Sequence, residues 1–211
     1  MKIKDVDICI TTYKKNESVF KILEVLSKQT NMNFNLIIND DGSSELLNPT
    51  KYSIITKYIW NEDDGYNRVG RFNESVSLCV SPNIILLDDD CIPANVNFIQ
   101  SHLSSLAGFD VSKGLIRFPD GSFASGWFST ANLGIKLKLI KEIGLFDKCY
   151  NGHYGYEDLD FGNQLKKNNI KVCDSGEETI VDHDFNQYKD GDRTDAIIGH
   201  NQKEFERKWG K

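Results

Sequence analysis

The stretch Ile84-Ile85-Leu86-Leu87-Asp88-Asp89-Asp90-Cys91-Ile92-Pro93 passes from four apolar residues directly into three carboxylates. The apolar run suits a strand buried on both faces, as in a parallel sheet. In an open α/β sheet, ligands collect beyond the carboxyl ends of the strands, so acids placed there face a ligand rather than the core. Extended backbone puts residues i and i+2 on one side, which predicts that Asp88 and Asp90 share a cation while Asp89 faces away. Two hard oxygen donors suit Mg²⁺ or Mn²⁺, ions that commonly leave their other positions to water and substrate phosphates. Metal-assisted handling of a phosphorylated substrate is the expectation. The plainer alternative, three acids solvating a strand end, has to be weighed against the rest of the chain.

Upstream, the same arrangement recurs. Val6 to Ile10 reads as a buried strand, and Asn16 is suited to cap a helix whose Val19, Ile22, Leu23 and Leu26 fall on one stripe. The linking loop, Thr11 to Lys15, carries hydroxyls and the Tyr13 ring at a strand's carboxyl end, where a flat heterocycle would fit. Phe34 to Ile38 reads as the next strand, ending in Asn39-Asp40-Asp41-Gly42-Ser43-Ser44. A carboxylate there can accept from an imide N–H, and Gly42 allows a close approach of backbone to ligand. An EF-hand is excluded, because fitting Gly42 to its invariant glycine puts Ile37 at the first ligand position. Ile54 to Trp60 reads as a third strand, followed by a helix with Phe72, Val76 and Val80 at fourfold spacing and with Arg68 and Arg71 at its entrance. Cations gain nothing from the positive end of a helix, which favours a phosphate-facing role for both arginines. The predicted order is β-α-β-α-β-α-β, that of a nucleotide-binding α/β half.

Downstream of Asn95 the alternation stops. A helix through Ala107, short strands at Gly114–Phe118 and Ser122–Phe128 and a helix at Leu137–Ile143 are expected, with Trp127 and Phe128 read as core aromatics or a sugar-stacking platform and core favoured for one of them. Asn151 to Asp160 forms a second acidic focus, a Gly- and Tyr-rich loop running into a helix with Phe161 and Leu165 on one face. First-turn acids are ordinary dipole partners, which accounts for Asp160 more easily than for the adjacent Glu157 and Asp158. A carboxylate in that loop can serve as a general base. His183 closes a strand-like run at Val181, and such a lone His is more often structural than a ligand. A short helix carrying Phe205 and Trp209 ends the chain.

Composition narrows the classes. The 211 residues make one domain with a sizeable core, and 39% hydrophobic with 27% charged residues is the balance of a soluble globular chain rather than a disordered one. A formal charge of −6 with scattered lysines excludes a nucleic-acid-backbone binder. Neither a secretory leader nor a membrane span is expected. The five cysteines, odd in number and widely spaced, read as reduced buried thiols of a cytoplasmic protein. Neither a glycine-rich phosphate loop nor G-x-G-x-x-G is found, which counts against a nucleotidyltransferase and a dinucleotide dehydrogenase.

In the order Val6–Tyr13, Asn39-Asp40-Asp41-Gly42-Ser43, Leu86–Pro93, Gly144-Leu145-Phe146-Asp147 and Gly155–Asp160, these segments resemble the GT-A-fold glycosyltransferases of family 2, the inverting, nucleotide-sugar-dependent class. Arg68, Arg71 and Asn73 are similar to the basic helix before the D-x-D in its chondroitin-polymerase and galactosyltransferase relatives, and Asn201, Phe205, Lys208 and Trp209 to its tail. Thr11 and Leu145 depart from it, standing where the family often has proline and a second glycine. Compact size and Lys/Asn/Ile-rich composition further resemble a glycosyltransferase domain of a large chlorella virus, which would set the protein in a host cytoplasm.

The resemblance implies a Rossmann-like, mostly parallel sheet with helices on both faces and a smaller mixed region, divided into a nucleotide-binding half (1–93) and an acceptor-binding half (94–211). It implies that Thr11, Tyr13 and Asp41 hold a uridine, with Asp40 and Asp89 in the same donor-binding set. Asp88 and Asp90 would serve ribose and metal, His183 would complete the metal shell, and Arg68 or Arg71 would offset diphosphate charge. Asp158 would be the base and Glu157 would orient the acceptor. The implied cofactor is Mn²⁺ or Mg²⁺ and the implied partners are a UDP-sugar, first UDP-glucose, and a glycan or other hydroxyl acceptor, in a chain that suits a longer multidomain polypeptide. The competing class is a non-catalytic carbohydrate- or Ca²⁺-binding module on the same fold.

Overall fold

The computed structural model describes residues 3–125, 128–184 and 198–210. β1 (Val6–Thr12) lies between β2 (Phe34–Asp40) and β4 (Asn83–Asp88), parallel to both, with β3 (Lys57–Trp60) parallel outside β2. Alternation along these strands feeds two cores. On one face Ile8, Ile10, Leu36, Ile38, Ile85 and Leu87 pack under α1 (Asn16–Leu26). On the other, Cys9, Ile37, Ile84 and Leu86 pack under Val69, Phe72 and Val76 of α2 (Arg68–Ser77). Burial on both faces is why Ile84 to Leu87 is continuously apolar.

β5 (Cys91–Pro93) and α3 (Phe98–Gly108) follow, then β6 (Val111–Lys113), β7 (Ile116–Arg117), β8 (Asn132–Lys136), α4 (Leu137–Ile143), α5 (Glu157–Lys167), β9 (Val172–Asp174), β10 (Val181–His183) and α6 (Ile198–Trp209). The large sheet has the order β3-β2-β1-β4-β8-β6-β9, and β5-β10-β7 form a small one. β8 runs antiparallel to β4 and β6, giving the mixed region expected beyond residue 93. No helix among the described residues is long and apolar enough to cross a membrane.

Several expectations are corrected. Among the described residues no α-helix joins β2 to β3; the connection holds one 3-10 turn, Pro49–Lys51, capped by the Asn48 side chain. β3 starts at Lys57 rather than Ile54, after the Thr56 hydroxyl has accepted from Leu36 N. Asn16 does not cap α1: it is the helix's first residue, and its amide donates to Glu45 O. Val80 lies past the end of α2 and is exposed. Of the strand expected at Ser122–Phe128, the described residues form a single bridge, between Arg117 and Phe123; Phe128 packs on the second core and Trp127 lies outside the described residues. β8 was hidden by its central glycine. A Cβ at Gly134 would sit 3.0 Å from His102 Nδ1 and 3.2 Å from Ser112 Cβ, so the close approach of α3 requires glycine in a strand.

Candidate active site

Strand order turns back on itself between β1 and β4, and the register sets Thr11 beside Asn39 on one side and Asp88 on the other. That switch point opens a cleft of about 270 Å³ lined by Thr11, Tyr13, Asp41, Asp88, Glu157 and Asp158, among others.

On the β2 side, Asp41 is buried and held by Arg71 Nε at 2.8 Å and by Asn67 N at 2.9 Å. Gly42 (φ 94°) lets a backbone come close, but that backbone is Asp63, whose Cα would lie 2.5 Å from an added Cβ. The approach thus serves the loop rather than a ligand, and it carries Asp63 to the Tyr13 hydroxyl at 2.9 Å. Asp40 is not brought to the cleft. Ser43 N and the Tyr58 hydroxyl, each at 2.7 Å, take its two oxygens, so it anchors the turn. Arg71 likewise works behind the cleft wall, on Asp41 and Asp64.

Arg68 connects the two acidic foci. Nη2 donates to Asp88 Oδ1 and Nη1 to Glu157 Oε1, both at 2.7 Å, and Asp158 Oδ1 lies 3.5 Å from Nη1. Its guanidinium rests 4.9 Å from the Phe72 ring centroid and 5.7 Å from that of Phe146, a cation–π floor. Burial raises the Asp88, Glu157 and Asp158 carboxyls above their ordinary values, against the opposing pull of Arg68. Glu157 reaches about 7. Its Oε2 is buried with no hydrogen-bond partner among the described residues. The Thr130 hydroxyl donates a short hydrogen bond to Asp158 Oδ1.

The predicted alternation through the three aspartates ends with the strand. β4 stops at Asp88 and the chain turns, so Asp89 also lines the cleft and accepts from Tyr13 N at 3.2 Å. Pairing of His183 with Cys91 across β10 and β5 brings its Nε2 to 3.7 Å from Asp90 Oδ1. The expected trio of metal ligands does not close, because Asp88 is turned to Arg68; among the described residues no three His, Cys, Asp or Glu side chains converge as a metal cluster. A carboxylate and an imidazole remain, a donor set that suits Mn²⁺ or Mg²⁺ when phosphate oxygens and water fill the other positions.

Sequence reasoning missed five contributors. Thr130 lies in an irregular stretch before β8 and carries no local pattern. Tyr66 and Tyr154, rings 5.9 Å apart, meet only across the cleft. Lys14 and Lys15 line the same wall as the acids, and two lysines at a strand's carboxyl end were the available signal.

No family model matches the sequence. Over 107 residues, 48% of the chain, it is 28% identical to the validoxylamine A glucosyltransferase of Streptomyces hygroscopicus subsp. limoneus, and equally so to that of subsp. jinggangensis strain 5008. The chain spans about a quarter of the length of these curated relatives, 23% and 25%. Among solved structures, TarS 1-349 of S. aureus superposes with a TM-score of 0.67 at 16% identity, over 80% of this chain and 58% of that one. GalNAc-T7, solved with UDP, GalNAc and Mn²⁺, gives 0.70 at 13% identity over 86% and 44%. PcManGT of Pyrobaculum calidifontis, solved with GDP-Man and Mn²⁺, gives 0.68 at 12% identity over 90% and 59%. The fold is that of the GT-A glycosyltransferases. In this GT-A fold the cleft just described sits at the carboxyl end of the parallel strands, as the sequence led one to expect.

Proposed function

We propose that the chain is a metal-dependent, inverting glycosyltransferase of the family 2 type, moving a hexose from a UDP-sugar, first UDP-glucose, to a hydroxyl of a glycan or other acceptor. The observation that carries this reading is one cleft with two acidic foci, Asp88-Asp89-Asp90 and Glu157-Asp158, joined through Arg68. A binding module needs only one such focus. Support also comes from the glucosyltransferase relatives and from neighbours solved with UDP-GlcNAc, GDP-Man or UDP.

In this reading Thr11, Tyr13 and Asp41 receive the uridine, and Asp90 and His183 hold Mn²⁺ or Mg²⁺. When bound there, the ion would supply Lewis-acid stabilisation of charge on the departing diphosphate. Asp158 takes the proton of the acceptor hydroxyl, whose oxygen bonds to the anomeric carbon as the carbon–phosphate oxygen bond breaks and its electron pair leaves with UDP. Thr130 fixes the Asp158 carboxylate for that transfer, and burial raises its proton affinity towards what a base needs near neutral pH. Glu157 Oε2, which has no hydrogen-bond partner among the described residues, accepts from a sugar hydroxyl and so orients the acceptor. Arg68 keeps the acids at the two ends of the reacting bond in one frame.

UDP release from a panel of UDP-hexoses, with Mn²⁺ and with chelator, tests the reading. Metal-dependent release that Asp158→Asn abolishes while retaining UDP binding is expected. UDP binding without turnover of any donor would favour the binding module instead.

A further inference from the structure

The two candidate acids enter the cleft from an unusual turn. Gly155 and Tyr156 both have left-handed backbone, φ 84° and 69°, and Tyr156 stands at the N-cap position of α5 with no side chain capping the helix. For a tyrosine this conformation is costly and persists only where surrounding structure enforces it. Glu157 and Asp158 are the next two residues, so the turn sets the direction in which both carboxylates leave the backbone.

What enforces it comes from α6, at the far end of the sequence. Asn201 is fully buried, and its amide nitrogen donates to Gly155 O at 2.8 Å, His153 O at 3.1 Å and Tyr150 O at 3.3 Å. An amide has two N–H donors, so one is shared between carbonyls, and all three acceptors belong to the loop that ends in the left-handed pair. One helical turn on, Phe205 packs against the Tyr156 ring at 5.4 Å, and the His200 ring stacks on His153 at 4.0 Å. A further turn along, Lys208 and Trp209 bind Asp160, at 3.0 Å and 2.6 Å. One stripe of α6 therefore grips the turn and the start of α5. None of the three Asn201 bonds reaches the tips of β1, β2 or β4.

We propose that Asn201 is a positioning residue for the reaction: its amide holds the Tyr150–Gly155 backbone so that Glu157 and Asp158 point into the cleft. This rests on the glycosyltransferase reading above. Because it acts on the acid side alone, losing it changes turnover and spares donor binding.

The test compares Asn201→Ala, Asn201→Ser and Arg207→Ala in the full chain, measuring kcat, donor KM, UDP affinity by calorimetry, and melting temperature. Asn201→Ala is expected to lower kcat at least tenfold, with donor KM and UDP affinity within twofold. Asn201→Ser, which keeps a single donor, should fall between it and wild type, and it decides the question if the alanine variant does not fold. Arg207→Ala removes only the exposed ion pair with Glu204 on α6 and should leave kcat within twofold. The inference is overturned if the Asn201 variants, like Arg207→Ala, turn over normally below their melting temperature. A wild type that binds UDP yet transfers and hydrolyses no donor would overturn the glycosyltransferase reading and this inference with it, a result distinct from normal turnover in an Asn201 variant.

Discussion

At the donor side of the cleft, Thr11 and Asp88 are pinned by strand register within one sheet, and Asp41 directly follows the end of β2, its N–H donating to Thr12 O at 2.8 Å. The opposite side is assembled from far-apart pieces: Thr130 reaches Asp158 from 28 residues away, Arg68 reaches Glu157 across 89, and Asn201 holds Gly155 across 46. The first side inherits its geometry from the sheet, so a single side-chain change there removes a contact without moving the frame. The second has no sheet beneath its acids, and each carboxylate depends on a partner elsewhere in the chain. Donor-side geometry should therefore be robust to single substitutions and acceptor-side geometry fragile, and this asymmetry can be attacked directly.

Arg68→Met attacks both sides at once and should have the largest effect. It leaves the buried Glu157 and the half-buried Asp88 and Asp158 facing one another without a cation, at a cost of about 3–5 kcal/mol. Removing the cation raises the proton affinity of all three acids, so the loss seen in denaturant titrations should be greatest at alkaline pH and smaller in mild acid. Asp158→Asn comes next, with single-turnover transfer slowed about 10²- to 10⁴-fold and UDP affinity unchanged. Weakened UDP binding in that variant would erase the proposed division of labour.

Glu157 gives a pH signature on stability. Its ordinary value of 4.5 rises to about 7 in the folded chain, chiefly through burial. Between those values the folded state binds more protons than the unfolded one, so this contribution is complete below pH 4.5 and is lost as pH rises to 7. Glu157→Gln should flatten that part of the stability–pH curve, by on the order of 2–3 kcal/mol across the window. At the small end, Tyr58→Phe deletes the hydroxyl bond to Asp40 and should cost about 1 kcal/mol in thermal or chemical denaturation with donor KM unchanged.

The same asymmetry governs how much could be read from sequence. β1, β2 and β4, the last two with acids at their ends, were legible because strands buried on both faces are continuously apolar and stop where a ligand site begins. α4 and α5 carried ordinary helical spacing. Asp40 and Asp41 show where such reading stops: neighbours on a strand end face opposite ways, and only the Tyr58 and Ser43 bonds reveal that Asp40 is the inward one. Asp89 misled for a related reason, since alternation was carried one residue past the end of β4. The acceptor side was legible only as a run of acids. Thr130, Tyr66 and Tyr154 have no periodic signal, and the three-residue strands β5, β6, β9 and β10 are too short to show one.

Calorimetric titration of UDP into the wild type and Asp90→Ala, each with and without Mn²⁺, tests the central claim most directly. The account predicts metal-dependent binding to the wild type that Asp90→Ala abolishes. Absence of UDP binding to the wild type under any metal condition, or equal binding to both proteins, would contradict it.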